Sequence, residues 1–231
     1  MKNKFNKISE IPNYQKYFEW DQFNWSTAIS FFEKHSNIKL SEACVLELGS
    51  RSGKLGLLFN LCGANTILSD VKNNLDESIK QRLKVDDDLD FSIIDATNID
   101  EEKKYDIIVL KSVLGALETK ENQKKCIEQV YLNLKKGGEF WIMENLKASI
   151  FHRILRYLFI PWSNSWRYIE KEELKILLEK FHTKKIKSKG GLSLLGKTEK
   201  QKNLLSKVDD KLNIYIKNSY WHTVVFALAK K

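Results

Sequence analysis

A chain of 231 residues is long enough for one sizeable α/β domain with additions. Its hydrophobic content of 42% and aromatic content of 11% are sufficient for a packed core and exclude a disordered protein. The net charge of +9 favours anionic partners, although lysines spread along the whole chain are explained more simply as a solvated surface.

The composition also predicts a cytoplasmic protein without a metal site. No apolar run is long enough to cross a membrane, and the N-terminal residues MKNKFNKISE lack the apolar region of a signal peptide. Cys44, Cys62 and Cys126 show neither metal-ligand spacing nor a CxxC pair. We therefore expect a reduced, cytoplasmic setting and no metal.

The first 42 residues are polar with interspersed aromatic side chains. From Trp25 to Phe32 the apolar residues recur at helical spacing, which predicts one amphipathic helix before the first strand. Pro12 and Asn13 predict a turn upstream of this helix. Residues 1–42 are therefore expected to form an N-terminal helical extension.

The central part of the chain alternates between strand-like and helix-like segments. The strand-like runs lie at 43–48, 66–69, 91–94, 105–110 and 140–143, and the helical patterns lie at 54–61, 74–84 and 121–134. Such alternation predicts a parallel sheet with helices on both faces. Gly63 and the pair Gly137-Gly138 are expected to end helices, because glycine tolerates the left-handed conformation.

After residue 144 the rhythm changes. Residues 150–162 are apolar, aromatic and basic, and a helix is predicted over 170–181. A short strand follows at 184–189, then a helix or long connection at 192–219 and a last strand at 220–229. Because no repeat or low-complexity linker interrupts the chain, it is expected to form one domain with elaborations.

Residues 45–56, VLELGSRSGKLG, form the most informative stretch. A short apolar run leads into a glycine-punctuated segment and then a helical pattern, an arrangement that brings backbone N–H groups close to a nucleotide. A dinucleotide fingerprint would need glycine in place of Arg51. A phosphate-binding P-loop would need glycine in place of Leu48 and Ser or Thr in place of Leu55. Neither of these two patterns fits.

The stretch instead resembles the first motif of the class I S-adenosylmethionine (SAM)-dependent methyltransferases, acid-x-Gly-x-Gly-x-Gly. Glu47, Gly49 and Gly53 match this motif, whereas Arg51 replaces its middle glycine. The resemblance is to the small-molecule branch of the family, similar to methyltransferase types 11 and 12, and it covers about residues 43–145.

Later segments resemble further parts of the same family in the same order. ILSD has Asp70 at the end of the second strand, where the family uses a carboxylate to accept from both ribose hydroxyls. SIIDAT has Asp95 at the end of the third strand, where the family binds the adenine amine. YDIIVLKSVLGAL resembles the fourth strand, and LKKGGEFWIMEN resembles the Leu-Lys-Pro-Gly-Gly turn and fifth strand, with Lys136 in place of proline.

The resemblance implies an α/β, Rossmann-like fold with a seven-stranded, mostly parallel sheet, an antiparallel last strand and helices on both faces. Residues 43–231 would form the SAM-binding methyltransferase domain, with a helical insert at about 146–168 after the fifth strand. Residues 1–42 would fold over the SAM pocket as a lid.

The implied cofactor is SAM, with S-adenosylhomocysteine as its product and no metal. The cofactor-binding residues implied by the resemblance are Glu47, Gly49, Ser50, Arg51, Gly53, Asp70, Val71, Asp95, Ala96, Lys111 and Ser112.

Several acceptor classes lack their signatures in this sequence. The fourth strand ends in Lys-Ser-Val-Leu, without the Asn/Asp-Pro-Pro-aromatic motif of enzymes that methylate the exocyclic amines of bases. Neither a Pro-Cys nucleophile for cytosine carbon nor the paired glutamates of protein-arginine enzymes is found, and no acidic trio for magnesium is evident. The resemblance therefore implies an oxygen or nitrogen acceptor on a small molecule, a sugar or a lipid-linked intermediate.

Aromatic residues and one carboxylate are the candidates for acceptor binding: Tyr14, Trp20, Trp25, Glu144, Trp162 and Trp166, with Tyr17 as a further lining candidate. An oxygen acceptor of high pKa would need a general base. Histidine is the usual one, and His152 and His222 are the candidates. Both residue types also have a simpler structural interpretation as packed or surface groups.

Residues 150–168 admit three interpretations, namely a wall of the acceptor pocket, core packing, or docking on a membrane. Membrane docking is suggested by Phe151, Ile154, Leu155, Leu158 and Phe159 on one helical face, flanked by Arg153 and Arg156. The basic charge leaves an RNA methyltransferase as a less favoured alternative function. A non-catalytic protein of the same fold is another, suggested by Arg51. The oligomeric state is not predicted.

Overall fold

Seven strands form one sheet in the computed structural model of the chain, which describes residues 5–99, 104–159, 165–212 and 219–231. The strands are β1 (Cys44–Leu48), β2 (Asn65–Asp70), β3 (Leu89–Ile93), β4 (Tyr105–Lys111), β5 (Leu134–Asn145), β6 (Thr183–Lys189) and β7 (Val224–Lys230). Their order is β3-β2-β1-β4-β5-β7-β6. β7 is antiparallel to both of its neighbours and the other pairings are parallel, which confirms the predicted sheet.

The α-helices of the described residues are α1 (Gln22–His35), α2 (Lys54–Leu61), α3 (Glu77–Leu83), α4 (Lys120–Asn133), α5 (Ile150–Phe159), α6 (Lys171–Leu177) and α7 (Glu199–Leu212). Short 3-10 turns lie at Ile8–Glu10, Tyr14–Phe18, Leu40–Glu42, Leu114–Leu117, Leu192–Leu195 and Ser219–Trp221. None of the described helices is both long enough and apolar enough to cross a membrane.

The sheet separates two large apolar clusters, as expected for a sheet with helices on both faces, and a smaller third cluster joins β2 and β3 to α3. One cluster joins the sheet to α1 and α2, and the stacked rings of Phe32 and Trp141 lie at its centre, 4.6 Å apart. The other joins the sheet to α4 and α6 through residues such as Val130 and Leu174. The alternation of apolar strands and amphipathic helices in the sequence is thereby explained.

Helix α1 is part of this core and not a cover over a pocket. It buries Trp25, Ala28, Ile29 and Phe32 against the sheet. The lid expected from residues 1–42 is thus reduced to the turn that precedes α1, which reaches the carboxyl edge of the sheet through Trp20.

The boundaries differ from the prediction mainly at β5. The pair Gly137-Gly138 lies inside β5, so the expectation that it ends a helix is wrong; α4 ends at Asn133. Gly137 has a φ of 80°, and the pairing of β5 with β4 shifts register there. Gly63 follows the end of α2 with a φ of 87°, as predicted.

Candidate functional site

A cavity of about 510 Å³ opens at the carboxyl ends of β1, β2 and β4. The chain continues from β1 toward β2 on one side, while β4 and β5 lie on the other. The strand order therefore reverses direction between β1 and β4. The loops that leave the sheet at such a point diverge, and a crevice for a ligand remains between them. The crevice lies where the sequence analysis placed the cofactor site.

Most of the predicted cofactor residues line this cavity: Glu47, Gly49, Ser50, Arg51, Asp70, Val71, Asp95, Ala96, Lys111 and Ser112. Gly53 lies behind them, where a Cβ would come within 2.8 Å of a Leu75 methyl. Its φ of 81° also demands the left-handed conformation. Gly53 therefore shapes the loop without facing the cavity.

Arg51 adopts a backbone conformation that favours glycine. Its φ is 49°, in the left-handed region that favours glycine, and its side chain is exposed. Its N–H donates to Oδ2 of Asp70 over 2.9 Å. The residue that departs from the motif thus takes a conformation that glycine would also adopt and donates a hydrogen bond to Asp70.

Asp70 is held in place by two backbone donors. Besides the bond from Arg51, Oδ1 of Asp70 accepts from the N–H of Val71 over 2.7 Å. A carboxylate has about four acceptor positions, so each oxygen retains capacity for a ligand hydroxyl. Asp70 is consequently fixed at the cavity wall with acceptor capacity to spare.

Asp95 lies on the cavity wall after β3. Its Oδ1 accepts from both the N–H and the Oγ1 of Thr97, each over 2.8 Å. This local turn orients the carboxylate, whose Oδ2 accepts no hydrogen bond from the residues that the structure describes.

Glu47 is a buried acid at the floor of the cavity. Its Oε2 accepts from the N–H of Gly56 over 2.8 Å, a bond that lowers its pKa. Burial in low dielectric opposes this more strongly and raises the pKa of Glu47 from 4.5 to about 8. A Cβ on Gly56 would lie 2.6 Å from the same oxygen, so that glycine is needed for the contact.

Lys111, at the end of β4, lines the cavity, and its ammonium group is buried. Among the described residues its Nζ has no hydrogen-bond partner. Desolvation lowers the pKa of Lys111 from 10.5 to about 8, although the charges of Glu19 and Glu47 favour the ammonium. A buried ammonium without a hydrogen-bond partner is costly, and the face of the Trp20 ring, whose centre lies 3.4 Å away, compensates part of that cost.

Glu19 and Asn145 are among the lining residues that sequence reasoning missed. Asn145 Nδ2 donates to Oγ of Ser112 over 3.0 Å and links the ends of β5 and β4. Its place at the carboxyl end of a strand is the signal that could have found it. Glu19 lies in an irregular turn with a φ of 64°, which no local pattern predicts.

The two histidines proposed as general bases do not lie at the cavity. His152 lies on the buried face of α5, where its Nδ1 is 2.7 Å from Oγ of Ser149. His222 pairs its Nδ1 with Oγ of Ser188 on β6, over 2.8 Å. The expectation that either histidine is the base is therefore corrected, because β6 and α5 hold them away from the cavity lining.

Of the acceptor candidates, Tyr17, Trp20 and Trp166 line the cavity. Tyr14 does not line it, and Trp25 is buried in the core. Trp162 lies outside the described residues. These positions divide the aromatic candidates into cavity walls and packing residues.

Glu144 has a structural position behind the cavity. Its carboxylate accepts from the N–H groups of Leu114 and Asn145 over 2.8 and 2.7 Å. Burial raises the pKa of Glu144 to about 7. The expectation of an acceptor contact is corrected, because both carboxylate oxygens are engaged by the loop after β4 and by β5. Within the described ranges, no group of three or more His, Cys, Asp or Glu side chains could hold a metal.

Residues 46–140 match the family model described as a methyltransferase domain. None of the curated proteins matches the chain. Among solved structures, a SAM-dependent methyltransferase from Archaeoglobus fulgidus is 18% identical with a TM-score of 0.63, covering 94% of this chain and 97% of that one. Magnesium protoporphyrin IX methyltransferase from Synechocystis PCC 6803, with bound S-adenosylhomocysteine, is 14% identical with a TM-score of 0.60, covering 96% and 89%.

A phosphoethanolamine N-methyltransferase from Haemonchus contortus, in complex with phosphomonomethylethanolamine and S-adenosylhomocysteine, is 14% identical with a TM-score of 0.65. The match covers 94% of this chain and 56% of that one. At these identities the likeness is one of fold.

Proposed function

We propose that this chain is a class I SAM-dependent methyltransferase, which transfers a methyl group from SAM to an oxygen or nitrogen atom of a small-molecule, sugar or lipid-linked acceptor; the methyltransferase domain matched by residues 46–140 and the shared fold support this. The observation that carries this proposal is Asp70, fixed by two backbone N–H groups at the wall of the cavity. Its remaining acceptor capacity suits the two vicinal ribose hydroxyls of the cofactor.

The chemistry of the cavity lining fits SAM. A volume of about 510 Å³ lies within the range for small-molecule sites. Asp70 and Asp95 supply acceptors for the ribose hydroxyls and the adenine amine, and the ammonium of Lys111 is a donor for the methionine carboxylate. The glycine loop 49–53 would support the methionine part, and Glu47 adds a carboxyl group near the positive charges of the ligand.

When bound, SAM supplies an electrophilic methyl group on a sulfonium, which is a good leaving group. The residues of this chain then have to orient the acceptor and exclude water. Trp20 and Trp166 provide aromatic walls for this purpose, and Glu19 and Asn145 provide polar groups beside them. Among the described lining residues, Glu47 and Lys111 are the ones with a pKa shifted to about 8, so they are the groups that could hold a proton near neutrality.

Isothermal titration calorimetry with SAM and S-adenosylhomocysteine tests the proposal. We expect Asp70→Ala to weaken SAM binding by roughly 1–3 kcal/mol through the loss of its hydrogen bonds. Asp87→Ala, which removes an exposed carboxylate between α3 and β3, is the matched control and should leave the affinity unchanged. Absence of heat with both ligands would refute the enzyme, and unchanged affinity in Asp70→Ala would refute the ribose contact alone.

A further inference from the structure

Helix α5 buries the polar side chains of His152 and Arg156 and exposes most of its apolar side chains. His152 and Arg156, one helical turn apart, are 0% and 3% exposed. The outward residues are between 47% and 72% exposed, and they are Ile150, Phe151, Ile154, Tyr157 and Leu158. A helix on a water-exposed surface normally shows the opposite arrangement.

The inward polar contacts fix this orientation. Arg156 Nη1 donates to the carbonyl oxygens of Leu146 and Lys147 over 2.6 and 3.3 Å, and its guanidinium lies 4.1 Å from the centre of the Tyr168 ring. His152 contacts the Trp221 ring edge-on at 4.8 Å. Rotating α5 to bury its apolar face would break these contacts, and the carbonyl oxygens of Leu146 and Lys147 would lose the donor that Arg156 supplies. Arg156 therefore does not flank the apolar face, as the sequence suggested, but anchors the helix from below.

Positive charge borders the apolar face. A groove beside α5 is lined by Ile150, Arg153 and Tyr220 together with Lys171. Among the described residues no carboxylate lies within ion-pair distance of Arg153 or Lys171.

The two acids of this groove already have partners. Glu170 pairs with Lys147 over 2.6 Å, and Glu172 pairs with Lys175 over 2.7 Å. Arg153 and Lys171 consequently give this edge of α5 a positive charge next to exposed apolar and aromatic side chains.

We propose that α5 docks in the surface of an anionic lipid bilayer, with its five apolar residues at the acyl boundary and Arg153 and Lys171 at the headgroup phosphates. Apolar and aromatic side chains bordered by cations are the features of helices that lie in a membrane interface. Phosphates supply the complementary charge for the basic edge. A protein partner would also cover the apolar face, but the positive charges of Arg153 and Lys171 favour lipid phosphates.

The docking places the active-site cavity close to the membrane. Asn145, which lines the cavity, precedes α5 by a few residues, and Trp166, which also lines it, follows α5. A lipid-linked acceptor would thus reach the cavity from the bilayer; this consequence rests on the proposed function, whereas the docking does not.

Flotation of the full chain with vesicles tests the docking. Phosphatidylcholine vesicles are compared with vesicles that also contain phosphatidylglycerol. We expect binding to the anionic vesicles, weaker at high salt because salt screens the phosphates. The variant Ile154→Glu/Leu158→Glu should lower the bound fraction about tenfold or more, because two charges enter the apolar face. Val85→Glu/Leu204→Glu adds the same charge at exposed apolar residues elsewhere and should retain binding.

Three outcomes would overturn the docking. The wild-type chain fails to float with anionic vesicles; or both double variants lose binding equally, so that net charge alone is responsible; or the α5 variant converts a dimer to a monomer without any vesicle binding, so that a second copy covers the face. SAM calorimetry on the same samples separates this result from the proposed function, because retained SAM binding without flotation overturns the docking alone. It also verifies that each variant is folded.

Discussion

The ammonium of Lys111 lies 3.4 Å from the centre of the Trp20 ring. The guanidinium of Arg51 lies 5.6 Å from the same ring. Trp20 thus brings the turn before α1 over the ends of β1 and β4, and it shields the amine that faces the cavity. A cation over an indole face is stabilised by the ring quadrupole, but the ring also removes water from the ammonium.

The first prediction concerns the pKa of Lys111. Because desolvation is the largest cause of its depression to about 8, Trp20→Ala should admit water and raise the pKa toward the ordinary value of lysine. Trp20→Phe keeps an aromatic cover and should leave the pKa low. NMR titration of lysine labelled at Cε, with Lys111→Arg to assign the signal, measures both. A lower pKa in Trp20→Ala would mean that the cation–π contact outweighs desolvation.

The second prediction concerns the backbone at Arg51, whose φ is 49°. A β-branched residue is strongly disfavoured in this conformation, so Arg51→Val should destabilise the fold by about 1–2 kcal/mol. Arg51→Gly relieves the conformation but gives the unfolded chain more freedom, so its stability should stay within about 1 kcal/mol of the wild type. Urea unfolding compares the three proteins, and equal stability of the Val and Gly variants would contradict the role of the backbone.

The third prediction is a pH dependence that arises from Glu47. Its carboxyl group has a pKa of about 8 in the folded chain and an ordinary value of 4.5. Between these values the folded state holds a proton that the unfolded state has released, so the free energy of unfolding falls as pH rises through this window. Glu47→Gln removes this titration and should flatten the slope.

Urea unfolding at a series of pH values measures that slope for the wild type and for Glu47→Gln. Glu144, with a pKa of about 7, contributes in the same direction and should leave a residual slope in the variant. Lys111 affects the stability only above about pH 8, which is its lowered pKa in the folded chain. Above that pH the unfolded state still holds the proton that the folded state has released, so the free energy of unfolding rises with pH. An identical slope in the variant and the wild type would show that Glu47 is ionised in the folded chain.

The fourth prediction tests the close approach of Trp166 to Gly115. A Cβ on Gly115 would lie 1.6 Å from Nε1 of Trp166, so Gly115→Ala should displace the indole and destabilise the fold by about 1–3 kcal/mol. In the Trp166→Ala background the same substitution should cost little. The coupling energy from a double-mutant cycle of urea unfolding measures the contact, and additive effects would place the strain elsewhere.

Much of the fold followed from local patterns. The apolar runs of β1 and β4 and the helical pattern of α2 were predicted nearly to the residue, because strands buried on both faces and amphipathic helices leave periodic signals. β5 was misjudged, because Gly137 bends the chain at a positive φ inside the strand instead of ending a helix.

The site was predicted where a residue type and a strand end coincide, as for Glu47 and Asp70. It was not predicted where the outcome depends on packing between distant segments. His152 and Glu144 carry side chains suited to catalysis, yet their neighbours hold them away from the cavity. Glu19 reaches the cavity from a turn without a sequence signal.

The sequence by itself determined the order of strands and helices, the motif around Gly49 and the acids at the carboxyl ends of β1 and β2. Those features depend on residues that are neighbours along the chain, so the periodicity and spacing of the sequence predict them. Only the tertiary structure decided that Arg51 keeps the conformation of a glycine, that Lys111 is buried against Trp20 and that Arg156 points inward. The physical reason is that burial and hydrogen-bond partners are set by segments far apart in sequence, and these alone fix which polar group faces the ligand.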